Sequence, residues 1–160
     1  MIVDTASPLN LGVIKYLSRG KGIHSPLIAA PKTVKDPYMG QGSHPDIVQR
    51  VWDDLGGKLP AVCRCLLYGT PSLVHDHTGV VIAISNGTQY NLRLTSADFP
   101  VAIAKGASTR TRWSSGSEMD SLTEFGPDWI FGGWFKEESL WCRNTYDQNA
   151  TANKALQRTT

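Results

Sequence analysis

The chain predicts an α+β domain in which a mainly antiparallel sheet of about four to five strands packs with two principal helices. Three observations carry this. Ile47, Val48, Val51, Trp52 and Leu55 recur at the spacing of one helical face. Two β-rich runs, 80–85 and 88–94, flank Asn86-Gly87, a strong hairpin signal. Fifteen Gly and nine Pro among 160 residues cut the rest into short elements. This length fits one domain, residues 1–149, which can bury enough surface to fold without a metal or disulfide.

Taken in order, Leu11, Ile14 and Leu17 mark a short helix closed by Gly20. Gly and Pro then recur too often for regular structure. Residues 1–42 therefore read as an irregular wrapping segment or arm, pinned by Ile23, Leu27, Ile28, Val34, Tyr38 and Met39, unless a strand hides there. Ser43, Pro45 and Asp46 give helix 43–55 a capping-box-like start. Gln49, Arg50, Asp53 and Asp54 take its solvent face, and Gly56-Gly57 end it with a left-handed stop. Strand 62–68 follows, closed by Gly69-Thr70-Pro71, with an extended piece at 72–75 beside it.

A type I′ turn at Asn86-Gly87 sets Ser85 opposite Thr88, Ala83 opposite Tyr90 and Val81 opposite Leu92. Strand 80–85 is apolar on both sides, hence interior, and 88–94 lies nearer an edge. Residues 97–105 fit either a helix start or an edge strand. Residues 109–124 fit a loop or weak hairpin, and 129–135 a short aromatic strand or buried turn. The second helix covers 136–148, with Glu137 and Glu138 in its first turn, where the dipole favours acids. Leu140, Trp141 and Tyr146 anchor it, and 150–160 reads as a disordered tail.

Charge narrows the function classes. The net charge of +2 is accounted for by Lys154 and Arg158 in the tail, and the rest of the chain balances. That speaks against a nucleic-acid partner. One stretch, Asp4 to Asp36, holds Lys15, Arg19, Lys21, Lys32 and Lys35 with no acid between them. It reads first as a solvated surface and second as a contact for an acidic partner. Three cysteines without a secretory start predict a reducing cytoplasm. No apolar run approaches the ~18 residues of a membrane span.

Catalytic signatures are sparse. His75 and His77 would share a strand face, and His75-Asp76-His77 is the leading candidate for chemistry. Without a third ligand it predicts no metal, and a plain turn reads equally well. Cys63-Arg64-Cys65 lacks the spacing of a zinc or redox pair, so buried small residues are expected, both thiols facing one way. No phosphate loop and no nucleophile elbow is present, and no cofactor is expected.

Aromatics carry more weight. Trp129, Phe131, Trp134, Phe135 and Trp141 crowd one stretch. They read as core against helix 43–55, or as an aromatic pocket or interface. Arg64, Tyr68, Tyr90, Arg93, Trp129, Trp134 and Trp141 are the pocket or interface candidates, with Arg64 and Tyr68 on one strand face. Val80, Ile82 and Ile84 form a sheet face with no assigned cover, and so a candidate homodimer surface.

The last ten residues, TANKALQRTT, resemble the in-frame translation of the recombination site that ends an integron gene cassette, through Asn153-Lys154-Ala155-Leu156-Gln157-Arg158-Thr159. The resemblance implies a mobile bacterial gene and no particular chemistry. The core is similar to small uncharacterised bacterial proteins in Gly42-Ser43-His44-Pro45-Asp46, Tyr68-Gly69-Thr70-Pro71, Gly87-Thr88-Gln89-Tyr90 and Phe125-Gly126-Pro127-Asp128-Trp129. No functional residues follow from that. The expected function is a non-enzymatic small-molecule-binding or protein-interaction module. One alternative is a small hydrolase or transferase using His75, Asp76 or His77. Another is an accessory of a toxin–antitoxin or defence pair using the basic 15–35 arm.

Overall fold

β4, Val81–Asn86, lies inside a six-stranded antiparallel sheet and is buried along nearly its whole length. The computed structural model describes residues 3–19, 27–29 and 43–159. In chain order the elements are α1 (Leu11–Ser18), β1 (Leu27–Ala29), α2 (Pro45–Gln49) running into a π-helical turn (Arg50–Leu55), β2 (Arg64–Leu67) and β3 (Thr70–Val74). After β4 come β5 (Gln89–Arg93), α3 (Asp98–Ala104), β6 (Arg110–Arg112), β7 (Glu118–Asp120), α4 (Ser121–Glu124), β8 (Trp129–Phe131) and α5 (Glu138–Thr159). The sheet order is β1-β2-β3-β4-β5-β8, and β6 and β7 form a separate hairpin. The α+β class holds. The ambiguous 97–105 stretch is helical, 109–124 holds the hairpin, and β1 is a strand inside the supposed wrapping segment. Ile23, Val34, Tyr38 and Met39, like Lys21, Lys32 and Lys35, lie outside the described residues.

The predicted stripe packs as expected. Ile47, Val48, Val51, Trp52 and Leu55 join Leu73, Ala83, Leu92, Ile130 and Trp141 in one core, beneath the π-turn and α5. Leu73, Ala83, Leu92 and Ile130 are cross-strand neighbours across four strands. The Trp52 indole donates to the Ser72 carbonyl at 3.0 Å, so this large side chain is buried with its polar atom satisfied. The other sheet face packs Cys65, Leu67, Val74, Val81, Ile84, Trp129 and Phe131 against Val13 and Leu17 of α1, Met119 and Phe125. Asn10 fastens the segment before α1. Its amide donates to the Asp4 and Gly79 carbonyls at 2.8 and 2.9 Å and accepts from the Val81 N–H at 2.9 Å.

The sheet corrects several expectations. Val80, Ile82 and Ile84 are fully buried within the single chain, so they offer no dimer face. Both sheet faces are covered, one by the π-turn and α5 and the other by α1, and a β-bulge sits at Ile82. Leu73 pairs Ala83 while Val74 pairs Val81, which leaves Ile82 as the extra residue. Strict alternation breaks there, and Val81 and Ala83 serve opposite layers. β5 is not an edge, since β8 pairs beyond it.

The hairpin register is shifted by one pair. Asn86 faces Gln89 and Ser85 faces Tyr90. Gly87 alone has positive φ, +65°, which makes Gly87-Thr88 a type II′ turn. Asn86 stays in the strand because its side chain is engaged. It donates to Asn91 Oδ1 and accepts from the Tyr16 hydroxyl, both at 3.0 Å. The type I′ geometry appears instead at Tyr68-Gly69, φ +51° and +80°, between β2 and β3.

Three helix ends also differ. His44, not Ser43, caps α2, its Nδ1 accepting from the Asp46 N–H at 3.1 Å, while the Ser43 hydroxyl turns to Ser85. Gly56 stays right-handed at φ −75° and leads into a 3₁₀ turn, so no left-handed stop forms. α5 runs on to Thr159 instead of giving way to a disordered tail. Its last turns are rich in Ala, Leu, Lys, Gln and Arg and contain neither Gly nor Pro, a composition that propagates a helix.

Candidate functional site

Four of the pocket candidates, Arg93 with Trp129 and Tyr90 with Trp134, fall into two constellations on opposite sheet faces. The first centres on Arg93, the last residue of β5, which is 7% exposed. Past the Ala83–Leu92 pair the β4–β5 ladder ends, so the Val81 carbonyl beyond it accepts from Arg93 Nε at 2.8 Å. Nη2 donates to the Leu9 carbonyl at 2.6 Å. The guanidinium lies 4.8 Å from the ring centre of Trp129, its cross-strand partner. The Thr145 hydroxyl of α5 donates to the Arg93 carbonyl at 2.7 Å and holds the strand end in place. Among the described residues no carboxylate comes within ion-pair distance of Arg93, and its Nη1 makes no hydrogen bond to the protein. Burial of this charge lowers its pKa to about 10, and Asp128 works the other way.

Arg93 lines a cleft of about 340 Å³. Leu9, Leu94, Phe125 and Pro127 form its apolar wall, and Asp128 and Gln148 its polar rim. Asp128 sits at φ +70°, and the Leu94 N–H donates to its carbonyl at 2.9 Å. Burial raises the Asp128 carboxyl, opposed by the Arg93 charge. A larger, open groove of about 520 Å³ follows the β6–β7 hairpin. Its charges already pair with each other, Arg110 with Asp120 at 3.3 Å and Arg112 with Glu118, so it has little unmet charge to offer a ligand.

The second constellation joins Tyr90 and Trp134 to Arg50 and Glu138. Arg50 Nη2 donates to Glu138 Oε1 at 2.9 Å and to the Phe135 carbonyl at 2.7 Å. The Tyr90 hydroxyl donates to Glu138 Oε1 and accepts from Arg50 Nε and from the Trp134 N–H at 2.9 Å. Glu138 Oε2 takes the Gly133 N–H at 2.8 Å. Glu138 is fully buried, and only 11% of the Arg50 side chain is exposed. Burial opposes the Arg50 charge, but hydrogen bonds to Tyr90 and Glu138 hold its pKa above the usual range; burial and the Glu138 charge raise that of Tyr90. Trp134 stands out from this network in the left-handed region, φ +61°, half-exposed, with its ring edge-on to Tyr90 and near Arg50. Sequence reasoning missed Arg50 and Glu138 here, because each read as an ordinary charge on a helix surface.

Comparison with family models, curated proteins and solved structures gave no match. The chemistry of the described residues therefore carries the functional reading.

The remaining candidates are placed apart. Trp141 is core, and Arg64 lies over Trp52 with Asp53 at 3.6 Å. Arg64 and Tyr68 do not share a face: Tyr68 leaves the strand in the left-handed turn and packs toward the opposite core. Cys63 and Cys65 also face opposite layers, since Cys63 closes a 3₁₀ turn before β2 begins. All three cysteines are free and buried, and burial with the nearby Asp76 charge pushes the Cys63 thiol up to about 12. Such thiols are poor nucleophiles at neutral pH. Among the described residues no cluster of three or more His, Cys, Asp or Glu could hold a metal ion, and no helix is long and apolar enough to cross a membrane.

His75 and His77 do not converge on a cleft. His75 is buried and stacks on Tyr146 at 4.1 Å, while the His77 side chain is 78% exposed. The His75 Nδ1 accepts from the His77 and Thr78 N–H groups at 3.1 and 3.2 Å. Asp76 Oδ1 accepts from the Tyr146 hydroxyl at 2.6 Å. Burial would raise the Asp76 carboxyl, but that hydroxyl and the two histidines hold it below the usual range. Burial holds the His75 imidazole below its usual pKa, and protonating Nδ1 would sacrifice both backbone bonds.

The stability consequence has a definite sign. Between the folded and unfolded His75 pKa values the unfolded chain binds more protons, so stability is complete above the unfolded value of ~6.5 and falls as pH drops below it. The Asp76 contribution is lost only at more acid pH, below the ~3.9 of a free aspartate. His75→Asn keeps an acceptor for the two N–H groups and removes the titration. Melting temperature followed from pH 7.5 to 5 is expected to fall in the parent and to flatten in the variant. Equal slopes would show that His75 is not the group responsible.

Proposed function

We propose that this protein is a non-enzymatic small-molecule-binding module whose ligand seat is the Arg93 cleft. The observation that supports this reading is the buried guanidinium. Val81 and Leu9 carbonyls position it, no carboxylate among the described residues neutralises it by contact, and it lines a concave, partly apolar site. A guanidinium held on one edge by two carbonyls, with no carboxylate in contact among the described residues, keeps charge and a donor nitrogen to offer an anion. The volume lies at the low end of the ~300–1,000 Å³ range of small-ligand pockets. The hydrolase or transferase alternative has no such support. His75 Nδ1 is already occupied and its ring buried, and Asp76, 3.4 Å from His77 Nε2, is held by the Tyr146 hydroxyl. A cytoplasmic setting and a cassette origin for the gene belong to the same proposal, the latter resting on the tail resemblance alone.

The test is ligand screening by NMR on the full chain with a fragment library. Hits are expected to shift the amides of Leu9, Arg93, Leu94 and Phe125 together. Hits that map consistently elsewhere, or a library with no hit, would refute the cleft as the seat.

A further inference from the structure

The ligand class can be narrowed by what Arg93 has left to offer, an argument that rests on the binding-module reading. Nε and Nη2 are already committed to the Val81 and Leu9 carbonyls. The side edge of the fork is therefore spent, and among the described residues Nη1 is the nitrogen without a partner. An arginine so placed meets an anion end-on, through one small oxygen-bearing group. Asp128 stands on the rim of the same cleft. Its charge is felt at Arg93 without an ion pair forming, so it opposes any group that brings a second negative charge. Leu9, Leu94, Phe125 and Pro127 also line the cleft and carry no charge, so the site beside Arg93 is partly apolar.

We propose that the ligand is a small molecule with a single carboxylate on an apolar body, the carboxylate meeting Nη1 of Arg93 and the body lying on the Leu9–Phe125 wall. Phosphate monoesters and dicarboxylates are excluded by Asp128, and neutral analogues leave the guanidinium unmatched.

The experiment is isothermal titration of the full chain with benzoate and hexanoate, with benzamide and hexanamide, and with inorganic phosphate. The acids are expected to bind at least tenfold more tightly than their amides, and phosphate not to bind. Arg93→Met abolishes the preference for acids. Because Arg93→Met also frees two buried carbonyls and can unfold the chain, Asp128→Asn is the second variant. Asparagine tolerates the left-handed backbone, and removing the rim charge is expected to tighten acid binding several-fold and admit phosphate. Amides that bind as well as acids would overturn the carboxylate class and leave the binding module standing. Phosphate binding to the parent at least as well as the acids would overturn it in favour of another anion class. Silence from every compound also overturns the class, and the fragment screen then decides the module independently.

Discussion

Arg50→Met is expected to destabilise the protein by about 3–5 kcal/mol, the range for breaking a buried ion pair by removing one partner. The cause is the carboxylate left behind. Glu138 is fully buried at the start of α5, and Arg50 is its only cationic contact in the described residues. The Tyr90 hydroxyl and Gly133 N–H remain, but neither carries charge. Methionine matches the length of the arginine stem, so the loss reports charge more than volume. Urea denaturation measures it, and adding Glu138→Gln to the variant should recover part of the loss by removing the orphaned charge. A loss under about 1 kcal/mol, the level of an exposed pair, would mean that solvent reaches Glu138 freely.

Gly132→Ala is expected to rank beside it, at or above the top of the ~1–3 kcal/mol range for overpacking. A Cβ at Gly132 would lie 1.8 Å from Tyr90 Cε2 and 2.0 Å from Cζ. Neither side can yield. The Tyr90 ring is fully buried with its hydroxyl bonded to Arg50, Glu138 and Trp134. The Gly132 N–H is itself bonded to the Tyr90 carbonyl at 2.8 Å. Gly57→Ala is the control, since a Cβ there meets nothing within 4 Å and φ is not positive. It should be neutral or stabilising by up to ~1 kcal/mol through the unfolded state. Thermal melts of the pair decide the matter, and similar midpoints would sink the packing argument.

What could be read in advance was what local spacing determines. The apolar stripe from Ile47 to Leu55 announced its helix, and the β-rich runs around Asn86-Gly87 announced a hairpin. Its register could not be read, because Asn86 is held in β4 by Asn91 and by Tyr16, a residue some seventy positions away. The bulge at Ile82 was hidden for a similar reason: every residue from Val80 to Ile84 is apolar, and an unbroken apolar run carries no mark of where its phase slips. At the candidate site, Arg93 and Trp129 were legible as types worth watching, and the sheet pairs them. Arg50 and Glu138 were not. A charge on a predicted helix reads as solvated unless its partner is known, and this partner lies on a different element.

The slip at Ile82 has one more consequence. By changing phase in mid-strand, β4 puts Ile82 and Ala83 into one hydrophobic layer and Val81 and Ile84 into the other. With β3 and β8, which also place residues in both layers, β4 is a shared wall between two cores that otherwise draw on different helices. Loosening either layer moves backbone on which the other depends. The two layers are therefore expected to open together as one cooperative unit.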